Sequence, residues 1–425
     1  MKHARRAVSL SLVLACVVGT MVVGVLTKSP CASGDWGDLR QYRLLCYTDI
    51  VPLRGTEQLA GGRLPYLEPC TPVEGQNCDE YPVLTMYTMR VAGWIAGDSY
   101  PLFYWTNAVI LLAAAAATAV CLWLLAGRRA LWFALAPTLL VYGTVNWDLL
   151  AVALATGALV AFADRRDSLA GILLGVGAAT KFYPALLLLP LFLQRLQDRQ
   201  PDRAIRLLWS AAAAWLWINV PFMVAAPGSW WEFFRFNGQR PADWDSLWFI
   251  ACRAWEGACL ATSTINLGAA LLFAALFVSL WAWKRDRSPG FPRWTLGLPL
   301  LISFLLTNKV YSPQFGLWLL PWLALVLPDL RRFVAFGLAD LAVFVTRFWF
   351  FGELSGGFGT PQWLFEVAVL IRTAVLVWCL AGWLTRDVEP LALGARGWAR
   401  ARAPVGSHVA AAEAGGLTGT AGASG

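Results

Sequence analysis

Residues 101–129 read PLFYWTNAVILLAAAAATAVCLWLLAGRR, an uncharged apolar block that closes on Arg128 and Arg129. A helix needs about 20 apolar residues to cross roughly 30 Å of hydrocarbon, and this block supplies them. Working outward, blocks of the same kind recur along the chain, each closed by a polar or basic connection. Of the 425 residues, 58% are hydrophobic and only 14% are charged, against about 45–50% and about 25% in soluble domains. The apolar residues do not alternate with polar ones at the spacing of a half-buried helix or strand. An all-α, polytopic transmembrane helical bundle is therefore expected.

The basic residues set the expected count. Arg128–Arg129, Arg165–Arg166, the run from Arg195 to Arg206, Lys284–Arg287 and Arg331–Arg332 fall on every second connection. Lys and Arg gather in cytoplasmic loops, so about twelve spans with both ends inside are expected. The run from about Ala7 to Thr27, behind Lys2, His3, Arg5 and Arg6, is longer than a signal-peptide core of about 7–15 residues and reads as a retained anchor. Residues 28–82 then form an outer loop. Residues 83–97 are too short to span and carry Arg90, so they read as an interfacial amphipathic helix. Residues 1–385 make one membrane-embedded unit, and the Ala/Gly-rich residues 386–425 read as a disordered cytoplasmic tail. The net charge of +8 is spread over loops rather than gathered in one patch, so membrane lipids, not nucleic acid, are the expected surroundings. Many of the 24 Trp stand at block ends, among them Trp36, Trp147, Trp231 and Trp363, where interfacial belts form.

That topology sorts the polar residues. Asp49, Glu80, Tyr81, Asn146, Asp148, Lys181, Tyr183, Asp243, Asp245, Lys309, Tyr311 and Gln314 all fall on the outer side. The two histidines, His3 and His408, do not, which excludes a histidine base, a Ser–His triad or a His-ligated metal there. A general base at this face must be a carboxylate. Asp49, beside Tyr47 and Thr48, is the first choice, the alternative being that it caps the following helix. Lys309 in TNKVYSPQ can hold a phosphate with help from Tyr311 and Gln314, or can snorkel to the surface. Lys181 invites the same two readings, and Asn146 and Asp148 can bond to it or cap a helix. The outer carboxylates show no metal-ligand spacing, so neither metal nor cofactor is expected.

Cys31, Cys46, Cys70 and Cys78 lie in the first outer loop and suit two disulfides, with three connectivities open. The other five cysteines read as packing residues. Two late spans carry charge: Asp340 and Arg372 near mid-depth, Arg347 and Glu366 nearer the outer surface. Each opposite pair is expected to meet, because a lone charge in hydrocarbon costs at least about 2.5–3.5 kcal/mol. Reversing both members of a pair is then expected to rescue each single reversal.

At these residues the chain resembles a known family. YTDI (47–50), GGRLPYLEP (61–69), EYPVL (80–84), AATKFYPALLLLP (178–190), DWDSLWF (243–249) and NKVYSPQFGLWLLP (308–321) look like the actinobacterial glycosyltransferase family 87. The resemblance implies the GT-C membrane fold and inverting transfer of a sugar, mannose by analogy, from a polyprenyl-phosphate donor. The acceptor would be a lipid or glycan at the outer face of the plasma membrane, in cell-envelope biogenesis. It gives Asp49 the role of base. It sets Lys309, Tyr311, Gln314, Lys181 and Tyr183 near the donor phosphate. Glu80, Tyr81, Asn146, Asp148, Asp243 and Asp245 are read as acceptor or support residues. One departure is the missing outer-face histidine that better-known members use at the phosphate. The rival readings are a transporter or flippase of a lipid-linked sugar, or a cell-envelope scaffold. Transporters show repeated halves, and no internal repeat is visible here.

Overall fold

The computed structural model describes residues 8–71, 77–255, 259–388 and 391–393. The N-terminal basic residues and nearly all of the expected tail lie outside the described residues. Among the described residues every regular element is helical. The chain enters through α1 (Leu10–Lys28) and runs through three short helices, α2 (Arg40–Arg43), α3 (Ile50–Thr56) and α4 (Val83–Ala96). It continues through α5 (Tyr100–Ala126), α6 (Ala130–Ala134), α7 (Pro137–Tyr142), α8 (Asp148–Ala163), α9 (Asp167–Thr180) and α10 (Leu188–Gln197). Then come α11 (Pro201–Ala225), α12 (Pro227–Gln239), α13 (Leu247–Ala254) and α14 (Thr262–Arg287). The last four are α15 (Gly297–Thr307), α16 (Gly316–Val326), α17 (Leu330–Leu354) and α18 (Gln362–Thr385).

Among the described residues six helical segments are long and apolar enough to cross a membrane: α1, the stretch Tyr100–Ala134, α11, α14, α17 and α18. Four more are apolar but shorter: Asp148–Ala163, Asp167–Thr180, Arg293–Thr307 and Pro313–Val326. The other two segments expected to span are interrupted. Pro137 opens a new helix after Ala136, and Pro184 stands in a 3-10 turn, Tyr183–Leu187, ahead of α10. Proline lacks the N–H that would continue the ladder, which is why these breaks fall where they do. α4 has 14 residues, about 21 Å at 1.5 Å per residue, well short of the hydrocarbon thickness.

α16 is the hub of the bundle. Every one of its residues, Gly316 to Val326, is buried, as a helix apolar on all sides must be when it stands in a core. α9 and α11 make the closest helix pair because glycines remove the side chains between them. A Cβ on Gly171 would stand 2.3 Å from the Leu207 carbonyl oxygen, and one on Gly175 2.3 Å from that of Ala211. Trp231 and Trp363 are exposed as a belt requires, but Trp147 is not. It is 1% exposed and its Nε1 donates to Asn107 Oδ1 at 2.7 Å, so it belongs to the core.

Three disulfides close local loops: Cys31–Cys46, Cys70–Cys78 and Cys252–Cys259. The first two settle the open connectivity as nearest-neighbour pairs. The third corrects the packing role expected of Cys252 and Cys259, whose loop leaves the apolar blocks after α13. Cys16, Cys121 and Cys379 carry free thiols.

Candidate active site

Asp49 is held by its neighbours on both sides. The Cys31–Cys46 bridge ties the chain to the end of α1, and Lys28 Nζ donates to the Tyr47 carbonyl at 2.9 Å. Thr48 Oγ1 donates to the Thr144 carbonyl at 2.8 Å, and the Asp49 N–H to the Val145 carbonyl at 2.9 Å. The loop between α1 and α3 is thereby laid against the turn between α7 and α8. Asp49 stands at the N-cap of α3 but its side chain accepts no bond from that helix, so the capping alternative is not what it does. Instead one carboxylate oxygen accepts from Tyr47 OH at 2.8 Å, and the other from Asn146 Nδ2 at 2.8 Å. Asn146 Nδ2 also donates to Tyr81 OH at 2.8 Å, so it bridges the segment between α1 and α3 and the residues just before α4. The Tyr47 ring stacks on Phe348 of α17 at 4.7 Å.

The half-buried Asp49 carboxylate opens into a cavity of about 530 Å³ whose polar wall includes Glu80, Tyr81, Arg240, Gln314 and Arg347. Burial raises the proton affinity of Asp49 above the usual carboxylate range. The hydrogen bonds from Asn146 and Tyr47 and the charges of Lys181 and Arg347 act against that rise. Glu80, half-buried, is pushed up to about 7 by burial, with Arg240 opposing. Glu80 can therefore take or hold a proton near neutral pH. Another cavity, about 470 Å³, lies among Leu125, Arg129, Trp294 and Arg386 and touches none of these residues.

The DWDSLWF loop builds the cationic side. Asp243 receives Arg240 Nη2 at 2.7 Å and Arg347 Nη2 at 3.5 Å. Burial works to raise its carboxyl, but Arg347 and Arg240 outweigh that and hold it below the usual range. Asp245 is bonded by Arg347 and lies 3.7 Å from Arg372, and burial pushes its carboxyl up to about 6. Arg372 reaches on to Asp340 at 3.4 Å. The expected Asp340–Arg372 pair is therefore present, and the expected Arg347–Glu366 pair is not. The loop folds between α17 and α18 and brings Asp243 and Asp245 to Arg347, while Glu366 is taken by Arg253 at 2.6 Å.

Apart from Gln314, the remaining sequence candidates stand beside the cavity rather than in it. Lys181 Nζ pairs with Asp148 at 3.1 Å, as one reading expected, and Trp318 Nε1 donates to the same carboxylate at 2.7 Å. Tyr183 stacks on Trp318 at 4.2 Å. Tyr311 is buried with its ring 3.7 Å beneath the Arg372 guanidinium. Lys309 is 5% exposed, does not line the cavity, and donates to the Gly238 carbonyl at 3.1 Å. It does not snorkel either. Gln314 alone of the expected phosphate group lines the cavity. Arg240 was not singled out by sequence, although an Arg three residues before the DWD motif was a usable signal, and Arg347 was singled out only as an ion-pair partner for Glu366.

No curated protein sequence is matched by the chain. The profile of glycosyltransferase family 87 matches residues 81–307, which is 227 of 425 positions and more than half of the chain. The match begins at Tyr81, so Asp49 before it and Arg347 after it complete a cavity whose middle wall, Tyr81 and Arg240 to Asp243, lies inside. A lipid-facing helical bundle with this acid and these cations at one end of its helices, and that profile over most of them, belongs to glycosyltransferase family 87 and is a membrane glycosyltransferase.

Proposed function

We propose that the chain transfers a sugar, mannose, from a polyprenyl-phosphate donor to a hydroxyl of a lipid or glycan acceptor, with inversion at the sugar carbon. Asp49 is the base: it takes the acceptor's hydroxyl proton as the new carbon–oxygen bond forms. The bond from the sugar carbon to the phosphate oxygen breaks, and polyprenyl phosphate leaves with the negative charge. Arg240 meets that charge, since a cation aimed at a developing phosphate lowers the barrier directly. The single observation that carries the reading is that a carboxylate of raised proton affinity and a guanidinium line one cavity of about 530 Å³. Arg240 takes this part rather than Lys309 because Arg240 lines the cavity.

The cavity faces the outside of the plasma membrane, with both termini inside. The support is charge: the Arg128–Arg129, Arg195–Arg206, Lys284–Arg287 and Arg331–Arg332 connections join the helix ends opposite to those that carry Asp49. Nucleotide sugars are not available on that side, which favours a lipid-linked donor.

The test is transfer of radiolabelled mannose from polyprenyl-phosphate mannose to octyl mannoside by the full-length protein in nanodiscs. Asp49→Asn is expected to lower kcat by about 10²–10⁴-fold, the usual worth of a general base, with normal expression. Undiminished transfer by Asp49→Asn removes it from the mechanism. Movement of the donor across the bilayer without transfer supports the flippase reading instead.

A further inference from the structure

Lys309 is conspicuous in the sequence and yet stands outside the cavity, and its two polar ends touch one short segment. Its ammonium donates to the Gly238 carbonyl at 3.1 Å, and its own carbonyl accepts the Asp243 N–H at 2.8 Å. Between these two anchors lie Gln239, Arg240, Pro241 and Ala242. The bridge matters most at the near end of the segment, since its far end is also tied by the ion pair of Asp243 with Arg347. α12, which precedes it, has no fully buried residue, and Asn237, Gly238 and Gln239 at its C-terminal end are exposed. A second side chain, Asn266 Nδ2 from α14, donates to the same Gly238 carbonyl at 2.8 Å. A snorkelling lysine would send its amine to water, but this one is 5% exposed and aims at a carbonyl.

We infer that Lys309 is a positioning residue: it brackets residues 238–243 and thereby sets Arg240 in the cavity, without itself touching the donor. Arg240 in turn donates to Asp243 at 2.7 Å, so the bracket fixes both the guanidinium and the carboxylate that orients it. Burial and, after it, the charge of Arg240 push the Lys309 amine down to about 8, which agrees with a cation shut off from solvent and close to Arg240.

The inference rests on the part given to Arg240 above, and a double-mutant cycle separates the two. Initial rates with polyprenyl-phosphate mannose and octyl mannoside are measured for the full-length wild type, Lys309→Met, Lys309→Arg, Arg240→Gln and the Met/Gln double variant. Lys309→Met is expected to raise the donor KM about ten-fold and leave the acceptor KM unchanged. Lys309→Arg keeps a donor for the Gly238 carbonyl and is expected to recover part of the loss. In the Arg240→Gln background Lys309→Met is expected to add nothing, because the group it positions is gone. Asn266→Ala, which removes the other tie to Gly238 from a helix outside the cavity, is expected to show the same donor-KM signature in smaller measure and serves if Lys309→Met does not fold. Additive effects in the double variant overturn the inference in favour of direct phosphate contact by Lys309. An equal rise in both KM values overturns it in favour of a structural role. A normal donor KM in Arg240→Gln withdraws Arg240 from the proposed function, and this inference with it.

Discussion

Arg372→Met is expected to destabilise the bundle by about 3–5 kcal/mol, the usual cost of removing one partner from a buried ion pair. The residues involved are closed off from solvent: Asp340 and Asp245 are 0% and 1% exposed and Arg372 is 1% exposed. Three cations, Arg240, Arg347 and Arg372, stand against three carboxylates, Asp243, Asp245 and Asp340, so the chain of pairs is neutral (3 − 3 = 0). Taking Arg372 away leaves Asp340 with no ion pair and Asp245 with one. Asp340→Asn is milder, roughly 1 kcal/mol, because Arg372 keeps the Asp245 carboxylate at 3.7 Å and the Asp245 carbonyl at 3.3 Å. Arg372→Met with Asp340→Asn restores neutrality (2 − 2 = 0) and is expected to return to within about 1 kcal/mol of the wild type. The charge swap, Arg372→Asp with Asp340→Arg, is not expected to rescue, contrary to the expectation from sequence. It sets a new carboxylate against Asp245, and position 340 has no room, since a Cβ on Gly316 would already stand 2.3 Å from Asp340 Oδ2. Cys379, a buried free thiol on α18, gives the assay: its reaction with a thiol dye during heating in detergent reports unfolding. At roughly 2–4 °C per kcal/mol, Arg372→Met lowers Tm by about 10 °C. A swap variant as stable as the wild type, or a neutral double variant as weak as Arg372→Met alone, refutes the shared-cation reasoning.

Two further outcomes follow from the same geometry. Asp49 must be ionised to act as base, so kcat/KM is expected to fall as pH drops through its raised pKa, giving an acid limb above the ordinary carboxylate value of about 4. Asn146→Ala, which removes a hydrogen bond that favours the ionised form, moves that limb to higher pH, and a limb left unmoved by Asn146→Ala counts against Asp49 as its source. The Cys31→Ser/Cys46→Ser pair opens a loop of sequence separation 15, worth about 3 kcal/mol, and loosens the segment that carries Asp49. Loss of Tm with kcat preserved would show that the bridge stabilises the fold but does not set the base.

What could be read from sequence was what is local along the chain. Apolar block length and the spacing of basic connections depend on the one-dimensional order of residues, and they led to a helical membrane bundle without further help. Asp49 and the Asp148–Lys181 pair were also within reach, because each stands at a block end where a polar residue has few other uses. The buried Trp147 was not, since a tryptophan at a block end looks the same whether it meets lipid headgroups or Asn107.

The site itself was decided by contacts between segments far apart in sequence. Arg347 and Glu366 have opposite charge at similar depth, which is all that counting residues can register. The DWD loop, a hundred positions earlier, folds in and supplies nearer carboxylates, because a buried guanidinium takes whichever acceptors the packing brings within reach. Lys309 shows the same limit from the other side. Its motif marked a helix end correctly, but only the course of the 238–243 segment determines whether its ammonium meets a ligand or a backbone carbonyl. Sequence by itself determined the solvent this protein lives in and the residues available for chemistry. Tertiary structure decided which of them share one cavity, because burial and charge pairing are properties of distances between segments that no local pattern encodes.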